Sequence, residues 1–342
     1  MKLIKTVDAV GHMICHDMTQ IIVGVTKDAR FRKGHIVQEE DIPILLSMGK
    51  EHLYVWEMQE GMLHEDEGAV ILCQACENEH MEHGDIKEGK IELRATTDGI
   101  LEIDTERLKK INSLGEVMIA TIANHSVVHA GDTIAGMRVI PLSIAAEHMD
   151  EVASIASSLH PILTIKPFVI TDCTILVTGS EVKKGLISDT FSPVVERKLK
   201  EYGIAVTNIV QTGDDQAFIT ESIKDAVASG ASMVICTGGM SVDPDDRTPG
   251  AIKATGARIV SYGAPVLPGA MFLVSYLGDV PVLGLPGCVM YSARTAFDLF
   301  LPRIIAHIPL TAHDIAGVGE GGLCMKCSPC HFPNCSFGKG GH

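Results

Sequence analysis

Aromatic residues are scarce: Phe, Trp and Tyr make up 4% of the 342 residues, and there is a single Trp. The core must therefore come from Ile, Val, Leu, Ala and Met. Basic residues are also few, with 28 Lys and Arg against 43 Asp and Glu, a formal net charge of −15. Such a field repels nucleic acid and anionic lipid, so neither is expected as a partner. No apolar run reaches the ~18 residues of a membrane span, and none is expected. Asp8 and His12 interrupt the opening stretch, which therefore lacks the apolar centre of a secretory leader. A cytoplasmic location is expected. The phosphate loop G-x-x-x-x-G-K-[S/T] is missing, as is G-x-G-x-x-G after a strand. Their absence argues against ordinary nucleotide hydrolases and dinucleotide dehydrogenases.

What is present excludes disorder. Hydrophobic residues are 46% and charged residues 21%, enough apolar matter to offset chain entropy. Three regimes follow one another. Residues 1–165 alternate short apolar runs with charged turns and read as an α+β region, β-rich near 90–142. Residues 166–312 read as an α/β domain. Residues 313–342 form a Cys- and Gly-rich tail. Lys166-Pro167 and Pro309 mark the junctions.

In the middle segment, apolar strands alternate with amphipathic helices. Strands are predicted at Thr174–Val177, Ile204–Val210, Met233–Cys236 and Pro281–Leu285. Helices are predicted around Phe191–Tyr202 and Phe218–Val227, stopped by Gly203 and Gly230, and over Val289–Ile305. This order predicts βαβ units and a mostly parallel sheet flanked by helices. In the first segment, a short helix is predicted before Gly49 and a longer one over His64–His83. A hairpin is predicted around Asp98-Gly99, and further strands over Ala120–Ile140 with a turn at Gly131.

Three predicted strands end in glycine loops: Thr178-Gly179-Ser180-Glu181, Thr237-Gly238-Gly239-Met240-Ser241 and Leu285-Pro286-Gly287. In an open parallel sheet, ligands bind outside the carboxyl ends of the strands, where glycines let the backbone approach and hydroxyls add donors. Carboxylates follow these loops: Glu181, Asp189, Asp243, Asp245 and Asp246, with Asp214 and Asp215 after the Ile204–Val210 strand. Such a rim suits a phosphate only if Mg²⁺ bridges the like charges. Asp189 and Asp215 also read as caps of the helices that follow.

In this order and spacing, these residues resemble the molybdenum-cofactor biosynthesis domain over about 166–306. Met240-Ser241 and the spacing to Asp246 are closer to the molybdopterin molybdenumtransferase branch. Three positions depart from that branch: Ser180 in the first loop, Phe191 after Asp189, and Cys288-Val289 after Gly287. The resemblance implies binding of molybdopterin, free or adenylylated, and Mg²⁺-dependent insertion of molybdate or tungstate. Glu181, Asp214 and Asp246 would hold Mg²⁺ or position molybdate and the adenylyl leaving group. Thr178, Gly179, Ser180, Asp189, Thr237, Gly238, Gly239, Ser241, Pro286 and Gly287 would hold the cofactor. A homodimer is also implied. The alternative is a non-catalytic carrier or sensor of the pterin, or a redox-regulated accessory protein centred on the tail.

The tail carries Cys324-x2-Cys327-x2-Cys330-x4-Cys335. In a reducing compartment, this spacing predicts a metal, either an Fe–S cluster or Zn²⁺. Cys73, Cys76, His80 and His83 fall on one face of the longer predicted helix. Ligands strung along a straight helix span about 15 Å and cannot surround one ion, so they read as a polar helix face.

Overall fold

The structure, a computed structural model, describes residues 2–22, 26–55, 60–87, 89–240 and 246–340. The chain divides into two compact units, residues 1–97 with 101–165, and residues 98–100 with 166–342.

The second unit is a three-layer α/β fold. In chain order it contains β1 (Asp172–Thr178), α1 (Ser180–Lys183), α2 (Ser192–Lys200), β2 (Ala205–Thr212), α3 (Gln216–Ala228) and β3 (Val234–Thr237). Then come α4 (Thr248–Ala254), β4 (Arg258–Tyr262), β5 (Leu273–Leu277), β6 (Val280–Leu285), α5 (Ala296–Ile305) and α6 (Ala312–Gly317). The sheet order is β2-β1-β3-β6-β5-β4. The first four are parallel, while β5 and β4 close the sheet antiparallel.

The central strands are buried on both faces, which explains their continuous apolar runs. Alternate side chains point to opposite layers. Ile175, Val177, Ile235 and Leu283 pack with Val195 and Leu199 of α2 and Phe297, Phe300 and Ile304 of α5. Leu176, Val234 and Cys236 pack with Ile219 and Ile223 of α3 and Ala251 and Ile252 of α4.

The helix predicted from Val289 begins later. A 3-10 turn spans Gly287–Met290, and α5 starts at Ala296. Thr295 and Asp298 form a capping box there, satisfying amides that an earlier start would leave without partners.

In the first unit, the helix before Gly49 is Asp41–Ser47. Strands Val117–Thr121 and Thr133–Val139 pair antiparallel, with Gly131 at positive φ between them. Two expectations fail. The hairpin at Asp98-Gly99 does not form: Lys90–Ala95 pairs with Thr133–Val139 and Met81–His83, while Gly99–Ile103 joins a separate sheet with Val127–Val128 and Leu163–Pro167. The predicted His64–His83 helix is Glu65–Cys76, capped by His64, and is followed by a turn and the strand Met81–His83. No helix among the described residues is long and apolar enough to cross a membrane.

Candidate functional site

Strand register places all the glycine loops on one edge. Thr178 lies opposite Thr212, Val177 opposite Thr237, and Thr237 opposite Leu285. The chain therefore leaves β1, β2, β3 and β6 at the same level, at the carboxyl end where ligands enter such sheets.

Buried hydroxyls lock the first and second glycine loops together. Thr178 Oγ1 donates to the Thr237 carbonyl at 3.0 Å, and Thr248 Oγ1 donates to the Gly238 carbonyl at 2.9 Å. The two hydroxyls lie 3.2 Å apart. Gly238 has φ +84°, and a Cβ there would come within 2.4 Å of the Thr178 carbonyl oxygen. The double glycine is thus required by loop packing as well as by conformation. Thr248, at the start of α4, is a positioning residue that the sequence did not disclose, because its partners are 70 and 10 residues away.

The carboxylates divide by what they touch. Asp189 Oδ1 accepts the amides of Phe191 and Ser192 at 2.9 and 3.0 Å, and Asp215 Oδ1 accepts that of Phe218 at 2.8 Å. Asp215 is the N-cap of α3, while Asp189, two residues before the N-cap Phe191, braces the start of α2. Asp214 Oδ2 accepts the Ser180 amide at 2.9 Å, tying the end of β2 to the first loop. Glu181 is exposed, with its carboxylate folded toward Gly179. Asp246 is half-buried, and its charge, after burial itself, raises the pKa of Tyr262. The Tyr262 hydroxyl donates to the Met240 carbonyl at 3.1 Å. Ser241, Asp243 and Asp245 lie outside the described residues. Among the described residues, Glu181, Asp214 and Asp246 do not gather their oxygens within 4.8 Å as one ligand set.

Beyond the third loop lies a cavity of about 420 Å³, lined by Arg197, Lys198, Met290, Arg294, Cys330 and Phe332 among others. Two of its cations are partnered. Lys198 Nζ is 2.7 and 2.9 Å from the Asp298 carboxylate, and Arg294 binds Glu201 and Asp298. The sequence carried no local sign of this site, because its walls come from segments about a hundred residues apart.

The tail packs against the same unit. Leu323 pairs in parallel with Leu267, and the Cys324 amide donates to the Leu267 carbonyl at 2.8 Å. Phe337 is buried, and Cys324 and Cys335 pack against the core. Cys324, Cys327, Cys330 and Cys335 all line one small cavity of about 30 Å³, walled by Phe332, Phe337 and Arg294. Among the described residues, no three of these sulfurs lie within 4.8 Å of one another.

A mostly parallel sheet flanked by helices, with glycine and acidic loops at one carboxyl edge, defines an α/β domain of the kind that binds ligands at that edge. Residues 174–307 match a family described as a probable molybdopterin binding domain, and residues 3–57 match a domain of unknown function. The match supports a molybdenum cofactor biosynthesis domain family for the 174–307 segment. A CinA-like protein of Myxococcus xanthus is 40% identical over 74 residues, 22% of this chain and 17% of the relative. A molybdenum cofactor biosynthesis bifunctional protein of Synechococcus elongatus is 29% identical over 84 residues, 25% of this chain and 26% of the relative. The chain thus spans about a sixth to a quarter of these relatives' length. The molybdopterin biosynthesis enzyme MoaB of Thermus thermophilus is similar at 18% identity and TM-score 0.34, covering 41% of this chain and 98% of that one.

Proposed function

We propose that this protein binds molybdopterin at the carboxyl edge of the sheet and inserts molybdate or tungstate into its adenylylated form: the dithiolene sulfurs displace oxygen from the oxyanion as water, and hydrolysis of the phosphoanhydride releases the adenylyl group as AMP. The observation that supports the reading is that three glycine loops leave their strands on one edge, where Asp214 accepts the Ser180 amide. Thr178, Gly179, Ser180, Thr237, Gly238, Gly239, Ser241, Pro286 and Gly287 form the loops that hold the pterin phosphate; Thr178 and Thr237 act by fixing the loop backbone, since their hydroxyls are bonded inward. Asp189 fixes the α2 start that flanks them.

Mg²⁺ fits this donor set. Being separated, the three carboxylates do not form an all-protein cage, and Mg²⁺ is ordinarily held by one or two carboxylates, waters and substrate phosphates. Asp214 uses Oδ2 for the Ser180 amide, which leaves Oδ1 as the ligand atom. When bound, the cation offsets the phosphate charge and stabilises the leaving group. Asp214 also holds the first loop in place, and Asp246 orients the incoming oxyanion.

Four thiolates on one cavity give the tail a metal. Tetrahedral Zn²⁺ with sulfur at ~2.3 Å draws thiolates to about 3.8 Å apart. An Fe–S cluster, with one iron per cysteine, accepts the wider spacing seen here and is the proposed occupant. The protein is proposed to be a cytoplasmic homodimer.

A second reading, a carrier or sensor of the pterin, rests on Phe191, which buries its ring at the start of α2, and on Cys288-Val289 after Gly287. Titration of purified protein with molybdopterin and adenylylated molybdopterin, with and without Mg²⁺ and molybdate, separates the two. Formation of metallated cofactor supports the transferase, and tight binding with no metallation supports the carrier.

A further inference from the structure

The early end of the Glu65–Cys76 helix brings together residues that a straight helix would hold apart. Glu77 adopts an extended conformation, its amide donating to the Cys73 carbonyl at 2.8 Å. The Asn78 side chain clamps the exit, donating to the carbonyls of Cys76 at 3.0 Å and Leu163 at 2.6 Å. His80, at φ +68°, turns the chain back. The strand Met81–His83 then pairs antiparallel with Lys90–Ala95, with His83 opposite Leu93. Three rigid attachments therefore aim Cys73, Glu77 and His83 at one point.

Cys73 Sγ lies 3.8 Å from Glu77 Oε2. His83 Nδ1 lies 2.8 and 2.9 Å from the two Glu77 oxygens. One ligand atom from each residue falls within 4.8 Å of the others. The thiol is buried, while the Glu77 and His83 side chains are 27% and 57% exposed, so the point opens to solvent on one side.

We propose that Cys73, Glu77 and His83 form a Zn²⁺ site in the first unit, distinct from the tail and from the glycine-loop edge. One sulfur, one nitrogen and one oxygen suit a borderline-soft d¹⁰ ion, and neither Mg²⁺ nor Ca²⁺ takes a thiolate. Tetrahedral bonds of ~2.0–2.3 Å separate ligand atoms by roughly 3.3–3.6 Å. The Cys73–Glu77 pair is already near that distance. The exposed His83 ring must retreat by about half an ångström, exchanging its hydrogen bond to Glu77 for the ion. Three protein ligands leave a fourth, solvent-facing position for water or a small exogenous donor.

The test uses the full chain. Wild type, Cys73→Ser, Glu77→Gln and His83→Gln proteins are saturated with Zn²⁺, desalted and assayed for zinc per chain, and Zn²⁺ affinity is measured by competition with a chromophoric chelator. Each variant is expected to lose one equivalent relative to wild type, or to bind it at least ~10-fold more weakly. Cys327→Ser is expected to leave this equivalent in place. Loading with Co²⁺ is expected to give a thiolate-to-cobalt charge-transfer band that Cys73→Ser removes. Cys73 is buried, so its variant is checked by circular dichroism. The exposed His83→Gln carries the test if Cys73→Ser does not fold. Unchanged zinc content and affinity in His83→Gln overturns the site, as does a folded Cys73→Ser protein that keeps the cobalt band.

Discussion

The Asp214 carboxylate accepts the backbone amide of Ser180 at 2.9 Å, joining the end of one strand to the glycine loop of its neighbour. This bond makes Asp214 answerable in two ways, as an acceptor that positions the loop and as a charge. Asp214→Asn can keep the acceptor and removes the charge, while Asp214→Ala removes both. If the charge holds Mg²⁺, both variants lose metallation by ~10²-fold or more, and the Asn variant keeps molybdopterin affinity. If only the loop matters, Asn stays near wild type and Ala loses affinity. Titration of pterin binding beside the metallation rate distinguishes these outcomes.

Asp246→Asn keeps the side-chain size and removes one charge. Metallation is expected to fall by ~10²-fold or more with little change in pterin affinity, because the charge acts most strongly in the transition state. Equal losses in rate and affinity would make Asp246 a binding residue.

Gly238→Ala is expected to damage both stability and binding. Left-handed backbone costs a non-glycine residue about 1–3 kcal/mol, and the added Cβ would meet the Thr178 carbonyl at 2.4 Å. Urea denaturation should show a loss of at least ~1 kcal/mol, with weaker pterin binding. A neutral result would mean that the two loops are free to separate.

Lys198→Met removes the cation that lies 2.7 Å from the Asp298 carboxylate, both side chains being more than nine-tenths buried. Breaking a buried pair costs about 3–5 kcal/mol when the remaining charge has no other partner. Here Arg294 stays 3.2 Å from Asp298, so the loss should fall toward the lower end. The denaturation midpoint, read at constant slope, checks it.

Burial pushes the Cys76 and Cys236 thiols up to about 12. Their unfolded counterparts ionise near 9.0. Above that pH the unfolded chain releases protons that the folded chain keeps. Stability is therefore full below pH ~9 and declines as pH rises toward 12, by up to ~1.4 kcal/mol per pH unit for each thiol. Denaturation from pH 8 to 11 should show the decline, and replacing Cys236 with Ala should flatten it. At neutral pH these thiols should resist alkylation, while the exposed Cys327 and Cys330 of chelated protein react first.

The sequence by itself determined the parallel strands of the second unit. Runs such as Thr174–Val177 and Met233–Cys236 are apolar on both faces, and only a strand covered on two sides stabilises such a run. It also determined the punctuation: Gly203 and Gly230 stop helices because positive φ is open to glycine there. The glycine loops and their order were legible because each follows its strand directly. Tertiary structure decided what depended on distant partners. Lys90–Ala95 passes over its neighbour after Asp98-Gly99 and pairs with Thr133–Val139, where Ile91 and Leu93 are buried. The helix from Glu65 stops at Cys76, where Asn78 donates to Leu163, 85 residues away. Thr248, Lys198 and Arg294 find their roles across comparable separations. Local periodicity records the face a residue must bury. It does not record which other segment buries it, because that choice is made by packing and hydrogen-bond satisfaction across the whole unit.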